Sequence, residues 1–352
     1  MHRVELREAR NEAALGIEMG STGAEVPVLL VRDLLVEFGT GDGRLRAVRG
    51  VDLDVRRGEL VALLGESGSG KSVTARAVMG LTEPGQTVEA TEMRLSGTDL
   101  LTSTERARRA LRGRRMSLVM QDALSALNPV LSIGDQLGEL FRVHERSSRR
   151  VARRRAAEML SLVGISDPGR RVDQYPHQFS GGMRQRILIA MAIALEPDLL
   201  IADEPTTALD VTVQAQILEL LDRLREQLGM GVLLITHDLG VVSEVADRLF
   251  VMYAGRIVET GAAAEVLDHP RHPYTRALLR SVPQAGDLGR DLLTIPGSPP
   301  SPAQVPAGCS FHPRCTLAVD RCLSERPLLE LVEVGRGAAC HRSEELSDAA
   351  AI

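Results

Sequence analysis

The segment GESGSGKS, from Gly65 to Ser72, constrains the fold of this chain more than any other part of the sequence. It matches the pattern G-x-x-x-x-G-K-[ST], directly follows the apolar run LVALL and precedes the helical segment VTARAVMGL. Glycines allow successive backbone N–H groups to turn inward and form an anion-binding nest, and the helix that follows adds its dipole. A strand, a loop of this kind and a helix in this order predict an α/β fold that binds phosphate groups.

Two residues of this loop have side chains suited to a nucleotide. Lys71 is long enough to reach the β- and γ-phosphates, and the Ser72 hydroxyl is suited to bind Mg²⁺. A chance glycine-rich turn is the alternative, but the flanking strand and helix disfavour it. The candidate nucleotide-binding residues are Gly65, Glu66, Ser67, Gly68, Ser69, Gly70, Lys71, Ser72 and Val73.

Two further apolar runs, DLLIADE at 198–204 and VLLITHD at 232–238, predict buried strands. Helical segments separate the runs, which is typical of a parallel sheet covered by helices. The first run ends in Asp203 and Glu204. We expect Asp203 to bind Mg²⁺ directly or through water, and Glu204 to polarise the water that attacks the γ-phosphate. An ordinary acidic strand end is the alternative, which the phosphate loop in the same chain disfavours.

The segment FSGGMRQRILIAMAIALEP, at 179–197, predicts a helix capped by Ser180. Serine is a favourable N-cap residue, and the free N–H groups of a first helical turn attract anions. Taken alone, the segment is only the start of a helix. Its place ahead of Asp203, in a chain with a phosphate loop, makes this possible anion site informative.

Composition excludes several classes of protein. Lys plus Arg is 42 and Asp plus Glu is 47, a net charge of −5, so the chain lacks the basic surface that a dedicated nucleic-acid binder needs. No apolar run reaches the roughly 18 residues that span a bilayer, and the first residues lack the apolar segment of a secretory signal. We expect a cytosolic protein with a poorly ordered leader at 1–27. With 3 Tyr, 5 Phe and no Trp, its core is expected to be aliphatic.

Six motifs follow one another along the chain: GESGSGKS, Gln121 in VMQD, FSGGM, LLIADE, TTALD and His237 in ITHD. This ordered set resembles the nucleotide-binding subunit of an ABC transporter. The resemblance implies the ABC type of P-loop NTPase fold, α/β with a mixed sheet, a helical subdomain and a small C-terminal extension. The family's usual signature begins Leu-Ser-Gly-Gly-Gln. This chain has Phe179 and Met183 at the two ends, a variation that the peptide-importer branch tolerates.

The resemblance implies roles for single residues of the ATP site. Gln121 would sense the γ-phosphate and Mg²⁺ and relay to the membrane subunits. His237 would hold the γ-phosphate and the attacking water, and with Glu204 and Lys71 it completes the catalytic candidates. Phe38 would stack on adenine, with a position in the strand core as the alternative. The implied Mg²⁺ ligands are Ser72, Gln121 and Asp203.

The resemblance also implies a dimer, because one phosphate loop and one signature in the same chain cannot close over the same ATP. Ser180, Gly181 and Gly182 would contact ATP bound to the opposite subunit. Asp210 would join the two active sites. ATP binding would close the dimer and hydrolysis would open it. We expect a second, related ATPase subunit in preference to a second copy, two transmembrane permease subunits, an extracytoplasmic substrate-binding protein as an indirect partner, and no nucleic acid.

Three stretches indicate the branch of the family. ALSALNPVLSIGDQL, at 123–137, resembles the segment of peptide-importer ATPases that faces the permease. HPRHPYTRALLRSVP, at 269–283, and GCSFHPRCTLAVDRC, at 308–322, resemble the C-terminal extension of oligopeptide and dipeptide importer ATPases. The implied function is ATP hydrolysis that powers peptide import at the cytoplasmic face of the plasma membrane. A nickel or opine cargo, or a non-transport ABC ATPase of DNA repair, is the alternative.

These similarities imply three domain boundaries. Residues 28–262 would form the ABC nucleotide-binding domain, with a helical subdomain at about 122–185. Residues 263–352 would form the C-terminal domain. Proline-rich sequence after position 262 is consistent with a separate small module there.

All the cysteines of the chain lie in the last part: Cys309, Cys315, Cys322 and Cys340. Their spacing, C-x₅-C-x₆-C-x₁₇-C, lacks the short C-x₂₋₄-C pairs that are usual for structural zinc. Four thiolates can hold a [4Fe–4S] cluster, and similar extensions in the family are associated with one. Zinc and free or disulfide-bonded thiols are the alternatives. His312 and His341 lie beside these cysteines and are interpreted as loop residues.

Overall fold

The structure is a computed structural model that describes residues 26–41, 43–207, 209–281 and 294–346. Except for Val26 and Pro27, the predicted leader at 1–27 lies outside the described residues.

An antiparallel sheet forms the N-terminal part of the fold. Its strands are β1 (Leu29–Thr40), β2 (Gly43–Val55), β4 (Gln86–Glu89), β5 (Glu92–Leu95) and β6 (Thr98–Asp99). The order is β2-β1-β5-β6, and β4 also pairs with β1. Leu29 lies opposite Val55 and Thr40 opposite Gly43, so β1 and β2 form one long hairpin.

A second, mixed sheet carries the predicted buried strands. It contains β3 (Leu60–Leu64), β7 (Met116–Val119), β8 (Leu199–Asp203), β9 (Gly231–Thr236), β10 (Arg248–Tyr253), β11 (Arg256–Ala262), β12 (Glu330–Glu333) and β13 (Arg336–Ala338). The order is β12-β13-β11-β10-β3-β9-β8-β7. Strands β10, β3, β9, β8 and β7 are parallel, whereas β11, β12 and β13 pair antiparallel. The carboxyl ends of β3, β8 and β9 therefore lie side by side at one edge.

The helices lie along the chain in two groups. Outside the segment between β7 and β8 they are α1 (Lys71–Met79), α2 (Glu105–Leu111), α8 (Val211–Leu228), α9 (Leu239–Val245), α10 (Ala263–Asp268), α11 (Pro273–Arg280) and α12 (Asp320–Ser324). Between β7 and β8 they are α3 (Ala123–Ala126), α4 (Ile133–Glu145), α5 (Arg149–Leu162), α6 (Pro168–Arg171) and α7 (Gly181–Ile193). No helix of the described ranges is both long and apolar enough to span a bilayer.

The second group of helices occupies most of the stretch predicted as a helical subdomain. Ser132, Ser148 and Ser180 cap α4, α5 and α7, each accepting a hydrogen bond from the N–H three residues on. Helix α5 has dense arginines on its outer face and buries Ala152, Ala156 and Leu160. Four of its arginines are exposed, namely Arg149, Arg150, Arg153 and Arg154. The arginine-rich side of α5 is therefore a solvated helix face.

The core is aliphatic at the two large sheets, as predicted, but the C-terminal extension adds a small aromatic core. Tyr253 of β10, Tyr274 of α11 and Phe311 are buried and contact one another, with ring centroids 4.6 to 5.4 Å apart. The proline-rich composition gave no indication of this cluster. Buried aromatic rings remove a large apolar surface from water, so these few residues can stabilise the packing of the extension.

The extension also continues the mixed sheet, because β13 pairs with β11 through Glu259 opposite Ala338. The Glu259 carboxylate is fully buried and accepts hydrogen bonds from the backbone N–H groups of Arg271 and His272. Arg336, itself 2% exposed, pairs with the same carboxylate at 3.3 Å. The extension is therefore joined to the mixed sheet by strand pairing and by a buried ion pair.

Candidate functional site

The phosphate loop connects β3 to α1, as the sequence predicts. Gly70 has φ 110°, a conformation that favours glycine, and a Cβ there would lie 2.8 Å from the Ala47 carbonyl oxygen. A Cβ at Gly65 would lie 2.2 Å from the Met252 carbonyl oxygen. Both positions therefore need glycine because neighbouring backbone approaches the loop too closely for a side chain.

Lys71 is buried at the first position of α1, inside the loop. Its ammonium donates hydrogen bonds to the carbonyl oxygens of Gly65 at 2.7 Å and Glu66 at 3.0 Å. Burial lowers the pKa of Lys71, and the nearby carboxylates of Glu204, Asp203 and Glu66 act in the opposite direction. The cation is held where a phosphate enclosed by the loop would meet it.

Ser72 and Asp203 connect the loop to the end of β8. The Ser72 hydroxyl donates to Asp203 Oδ1 at 3.0 Å. Burial is the main cause that raises the pKa of Asp203, with Ser72 acting against it. Hydroxyl and carboxylate oxygens are the ligand types that Mg²⁺ prefers. The donor set at this point therefore fits the predicted Mg²⁺ site.

Glu204 is the centre of a hydrogen-bonded cluster. Its carboxylate accepts from Gln121 Nε2 at 3.0 Å and from Thr207 Oγ1 at 2.9 Å. Its Oε1 lies 3.1 Å from His237 Nδ1. Three residues that the sequence predicts, separated by many positions in the chain, are thus brought together. Thr207, within the TTALD motif, was not predicted, because a threonine in a motif carries no separate chemical signal.

The backbone at Glu204 is unusual for a residue with a side chain. Its φ is 49°, in the left-handed region. Its N–H donates to the Ile235 carbonyl at 2.8 Å, which ties it to β9. Strained backbone of this kind is found preferentially at functional sites. Here it turns the carboxylate back toward the Gln121 and His237 side chains.

The structure places the predicted signature residues on the helical segment. Ser180 caps α7 and accepts from the Met183 N–H at 3.4 Å, as predicted. Asp210 caps α8 and accepts from the Val213 N–H at 3.0 Å. A Cβ at Gly182 would lie 2.6 Å from Val213 Cγ1, so α7 and α8 approach closely at this glycine. The second group of predicted site residues, Ser180, Gly181, Gly182 and Asp210, thus lies at the starts of α7 and α8.

Phe38 is half-buried on β1, opposite Leu45 of β2 and Gln86 of β4. Its ring packs against the aliphatic cluster of the antiparallel sheet. Part of the ring surface is exposed, and part belongs to the core. Its role in stacking on adenine stays a prediction.

The four cysteines line one pocket together with Phe311, His312 and His341. All four thiols are free. Burial raises the pKa of Cys309, Cys315 and Cys340, in the last case to about 12. The His312 and His341 rings bond the carbonyl oxygens of Cys309 and Glu325, in keeping with their interpretation as loop residues.

Side-chain geometry does not support the predicted metal site. Within the described ranges, no group of three or more His, Cys, Asp or Glu side chains is arranged to hold a metal ion. Because all four thiols are free, the structure does not support the disulfide alternative. The structure does show that Cys309, Cys315, Cys322 and Cys340 meet in one pocket, although the first and the last are 31 positions apart.

Two family models match the chain. The model described as ABC transporter matches residues 48–207. The model described as oligopeptide/dipeptide transporter, C-terminal region, matches residues 258–322. The first match contains the phosphate loop and the Glu204 cluster except His237, and the second contains Tyr274 and three of the four cysteines.

Similar proteins extend over nearly the whole chain. The dipeptide transport ATP-binding protein of Bacillus subtilis is 52% identical over 290 residues, covering 82% of this chain and 86% of that protein. The dipeptide transport ATP-binding protein of Escherichia coli is 47% identical over 314 residues, covering 89% of this chain and 96% of that protein.

A solved structure shares the fold. It is the ATP-binding cassette MJ0796 in a dimeric post-hydrolysis state bound to ADP and Pi. The TM-score is 0.59 at 27% sequence identity, covering 67% of this chain and 98% of that chain. The predictions of an ABC cassette fold and of ATP hydrolysis are confirmed. The chain belongs to the family of ABC transporter ATP-binding proteins that carry an oligopeptide/dipeptide transporter C-terminal region.

Proposed function

We propose that this chain hydrolyses ATP to power the import of dipeptides or oligopeptides through a membrane ABC permease. The observation that carries the hydrolytic part is the Glu204 carboxylate, held by Gln121, Thr207 and His237 beside the Ser72–Asp203 pair. The peptide cargo is supported by the C-terminal region and by the two dipeptide transport relatives.

Lys71 and the backbone N–H groups of residues 65–73 bind the phosphates of ATP in this proposal. Ser72, Asp203 and Gln121 hold Mg²⁺, which neutralises phosphate charge when bound. Glu204 orients and deprotonates the attacking water as a general base, and His237 holds the γ-phosphate end of the site. Phe38 stacks on adenine. Each role requires the side chain to be within hydrogen-bond or stacking reach of bound ATP.

The second group of site residues acts across a dimer. Ser180, Gly181 and Gly182 contact ATP held by the opposite subunit, and Asp210 joins the two sites. The partner is a related ATPase subunit in preference to a second copy. ATP then bridges the subunits, and its hydrolysis removes the bridge and adds charge repulsion. The assembly includes two permease subunits at the cytoplasmic face of the plasma membrane and, indirectly, an extracytoplasmic substrate-binding protein.

The proposal also assigns domains. Residues 28–262 are the nucleotide-binding domain, 122–185 its helical subdomain and 263–352 the C-terminal domain. In the C-terminal domain we propose that Cys309, Cys315, Cys322 and Cys340 hold a [4Fe–4S] cluster, with zinc as the alternative metal. Four cysteine thiols line one pocket, which is the donor number that such a cluster needs, although the thiols must rearrange to surround it. Because ligation needs thiolates, binding must release protons from thiols whose pKa burial raises.

Cargo transport is the direct test. The chain is reconstituted with its permease and second ATPase subunit in vesicles, and ATP-dependent uptake of a labelled dipeptide is measured. Uptake that fails with Glu204→Gln supports the proposal. Uptake of nickel or an opine in place of the peptide would reassign the cargo while keeping the ATPase.

Metal content is tested separately. Anaerobic purification followed by an absorption spectrum and analysis of iron, sulfide and zinc is expected to give about four irons and four sulfides per chain. One zinc without sulfide would select the alternative metal. A metal-free protein with full ATPase activity would contradict the cluster and leave the ATP site unaffected.

A further inference from the structure

Two residues of the C-terminal extension contact the second residue of the phosphate loop. The Arg314 guanidinium donates to both carboxylate oxygens of Glu66, at 2.7 Å to Oε2 and 3.0 Å to Oε1. The Tyr274 hydroxyl accepts a hydrogen bond from the Glu66 backbone N–H at 2.9 Å. Both the side chain and the main chain of one loop residue are therefore held by the extension.

Arg314 is fixed from several sides. Its side chain is 5% exposed, and its Nε donates to the Pro296 carbonyl at 2.9 Å. The guanidinium carbon lies 5.9 Å from the centre of the Tyr253 ring and 6.0 Å from that of Phe311. A charge-assisted, two-point bond from a confined guanidinium is among the stronger and more directional contacts that a protein makes. Arg314 therefore restricts where the Glu66 carboxylate can lie.

Tyr274 is equally confined. It is fully buried near the start of α11, where its own N–H donates to the His272 ring at 3.0 Å. Its ring packs against Tyr253, 4.6 Å between centroids, and against Phe311, 5.4 Å between centroids. The hydroxyl that meets Glu66 is thus held by packing rather than by the loop.

Glu66 passes this restraint to Lys71. The Glu66 carbonyl oxygen accepts from the Lys71 ammonium at 3.0 Å and from the Ser69 N–H at 3.2 Å. A displacement of Glu66 would therefore move the peptide that turns the loop and the cation that meets the phosphates. Errors of about 1 Å in such positions cost on the order of 100-fold in activity.

We propose that Arg314 and Tyr274 are positioning residues of the ATP site, which fix Glu66 and through it the Lys71 ammonium. The extension then supports ATP binding through Tyr274 in the segment HPYT and Arg314 in the segment HPRC. Both segments lie outside the ATP-binding motifs of the sequence. A role in folding alone would instead lower stability without changing the ATP affinity of the folded chain.

Tyr274→Phe tests the main-chain contact, because it keeps the ring and removes only the hydroxyl. The full chain is titrated with Mg·ATP to obtain Kd, and KM and kcat are measured with the partner subunit. We expect Kd and KM to rise about 3- to 10-fold, the effect of one hydrogen bond, with a smaller change in kcat. Tyr175→Phe, which removes the hydroxyl of an exposed ring outside the extension, is the control and should leave Kd unchanged. A normal Kd for folded Tyr274→Phe would overturn its assigned role.

A double-mutant cycle tests the side-chain contact. Arg314→Gln and Glu66→Gln should each weaken ATP binding about 10-fold or more, and the double variant should bind no more weakly than the weaker single variant. Arg321→Gln, an exposed arginine of the same extension, is the control. Strictly additive losses, or wild-type Kd in folded Arg314→Gln, would overturn the proposal. If Arg314→Gln does not fold, the Tyr274→Phe result decides.

Discussion

Nδ1 of His237 lies 3.1 Å from Oε1 of Glu204, although the two residues follow different strands of the mixed sheet. A carboxylate only accepts hydrogen bonds, so in the neutral ring Nδ1 carries the proton and Nε2 is the acceptor nitrogen. The His237 side chain is 56% exposed and the Glu204 side chain 15%. The carboxylate is thus held near the sheet edge by a histidine that remains accessible to a ligand.

Replacing Glu204 with Gln is expected to separate binding from hydrolysis. Glutamine keeps the size of the side chain but cannot take a proton from water, so turnover should fall about 100- to 10,000-fold. ATP binding should persist and trap a closed dimer, visible as an ATP-dependent shift in size-exclusion chromatography. Glu226→Gln, an exposed position on α8, is the control. Near-normal turnover in Glu204→Gln would remove Glu204 from the catalytic set.

Asp203→Asn is expected to stabilise the nucleotide-free protein while reducing Mg²⁺-dependent ATP hydrolysis. Burial raises the pKa of Asp203, so the folded state holds this proton more tightly than the unfolded state does. Stability from this group is therefore present at low pH and is lost as pH rises through the folded pKa.

The test is the melting temperature of Asp203→Asn against the wild type over a pH series. The variant should melt higher at pH 7, and the difference should shrink as pH falls toward about 4, the ordinary pKa of aspartate. Asp268→Asn, an exposed position on α10, should show no such pattern. A lower melting temperature for Asp203→Asn at pH 7 would contradict the expected sign.

The buried pair between Arg336 and Glu259 should be costly to break from one side. Arg336→Met leaves a fully buried carboxylate without its cation, which is expected to cost about 3 to 5 kcal/mol in the free energy of unfolding. Urea denaturation provides the measurement. Arg321→Met removes an exposed partner of Glu325 and should change little. Equal effects of the two variants would mean that β13 is not held by this pair.

Two neighbouring glycines should respond oppositely to alanine. Gly182→Ala places a Cβ 2.6 Å from Val213 Cγ1 and should lower the melting temperature. Gly181→Ala meets Leu209 Cδ2 at an ordinary 3.6 Å and should raise it, because alanine favours a helix by roughly 0.5 to 1 kcal/mol over glycine. Val213→Ala should rescue Gly182→Ala. Without rescue, the α7–α8 contact would not be the cause.

The two ATP-site motifs at the sheet edge were predictable from sequence because their signals are local. An apolar run followed by GESGSGKS predicts β3, the phosphate loop and α1, and LLIADE predicts a strand that ends in Asp203 and Glu204. The same holds for Ser180 as a helix cap. Each of these inferences needs only the spacing of apolar residues, the residue types that turns and helix caps favour, and the side chains that bind phosphates and metals.

Contacts between distant segments were decided by tertiary structure. The sequence carries no signal that Arg314 bonds Glu66 across 248 positions, or that Tyr274 bonds the same residue across 208 positions. Such pairs depend on which strand edges and loops become neighbours, and no local periodicity encodes that. The short strands β12 and β13 join the sheet for the same reason, through pairing with β11.

The sequence by itself therefore determined the α/β core, the phosphate loop, the strand that ends in Asp203 and Glu204, and the clustering of cysteines in the last part of the chain. Only the tertiary structure decided that the extension packs aromatic rings against β10 and holds the phosphate loop through Arg314 and Tyr274. Local sequence signals determine helices, strands and turns because backbone and side-chain preferences act over a few residues. Long-range contacts form only when burial brings distant polar groups together and each must find a partner.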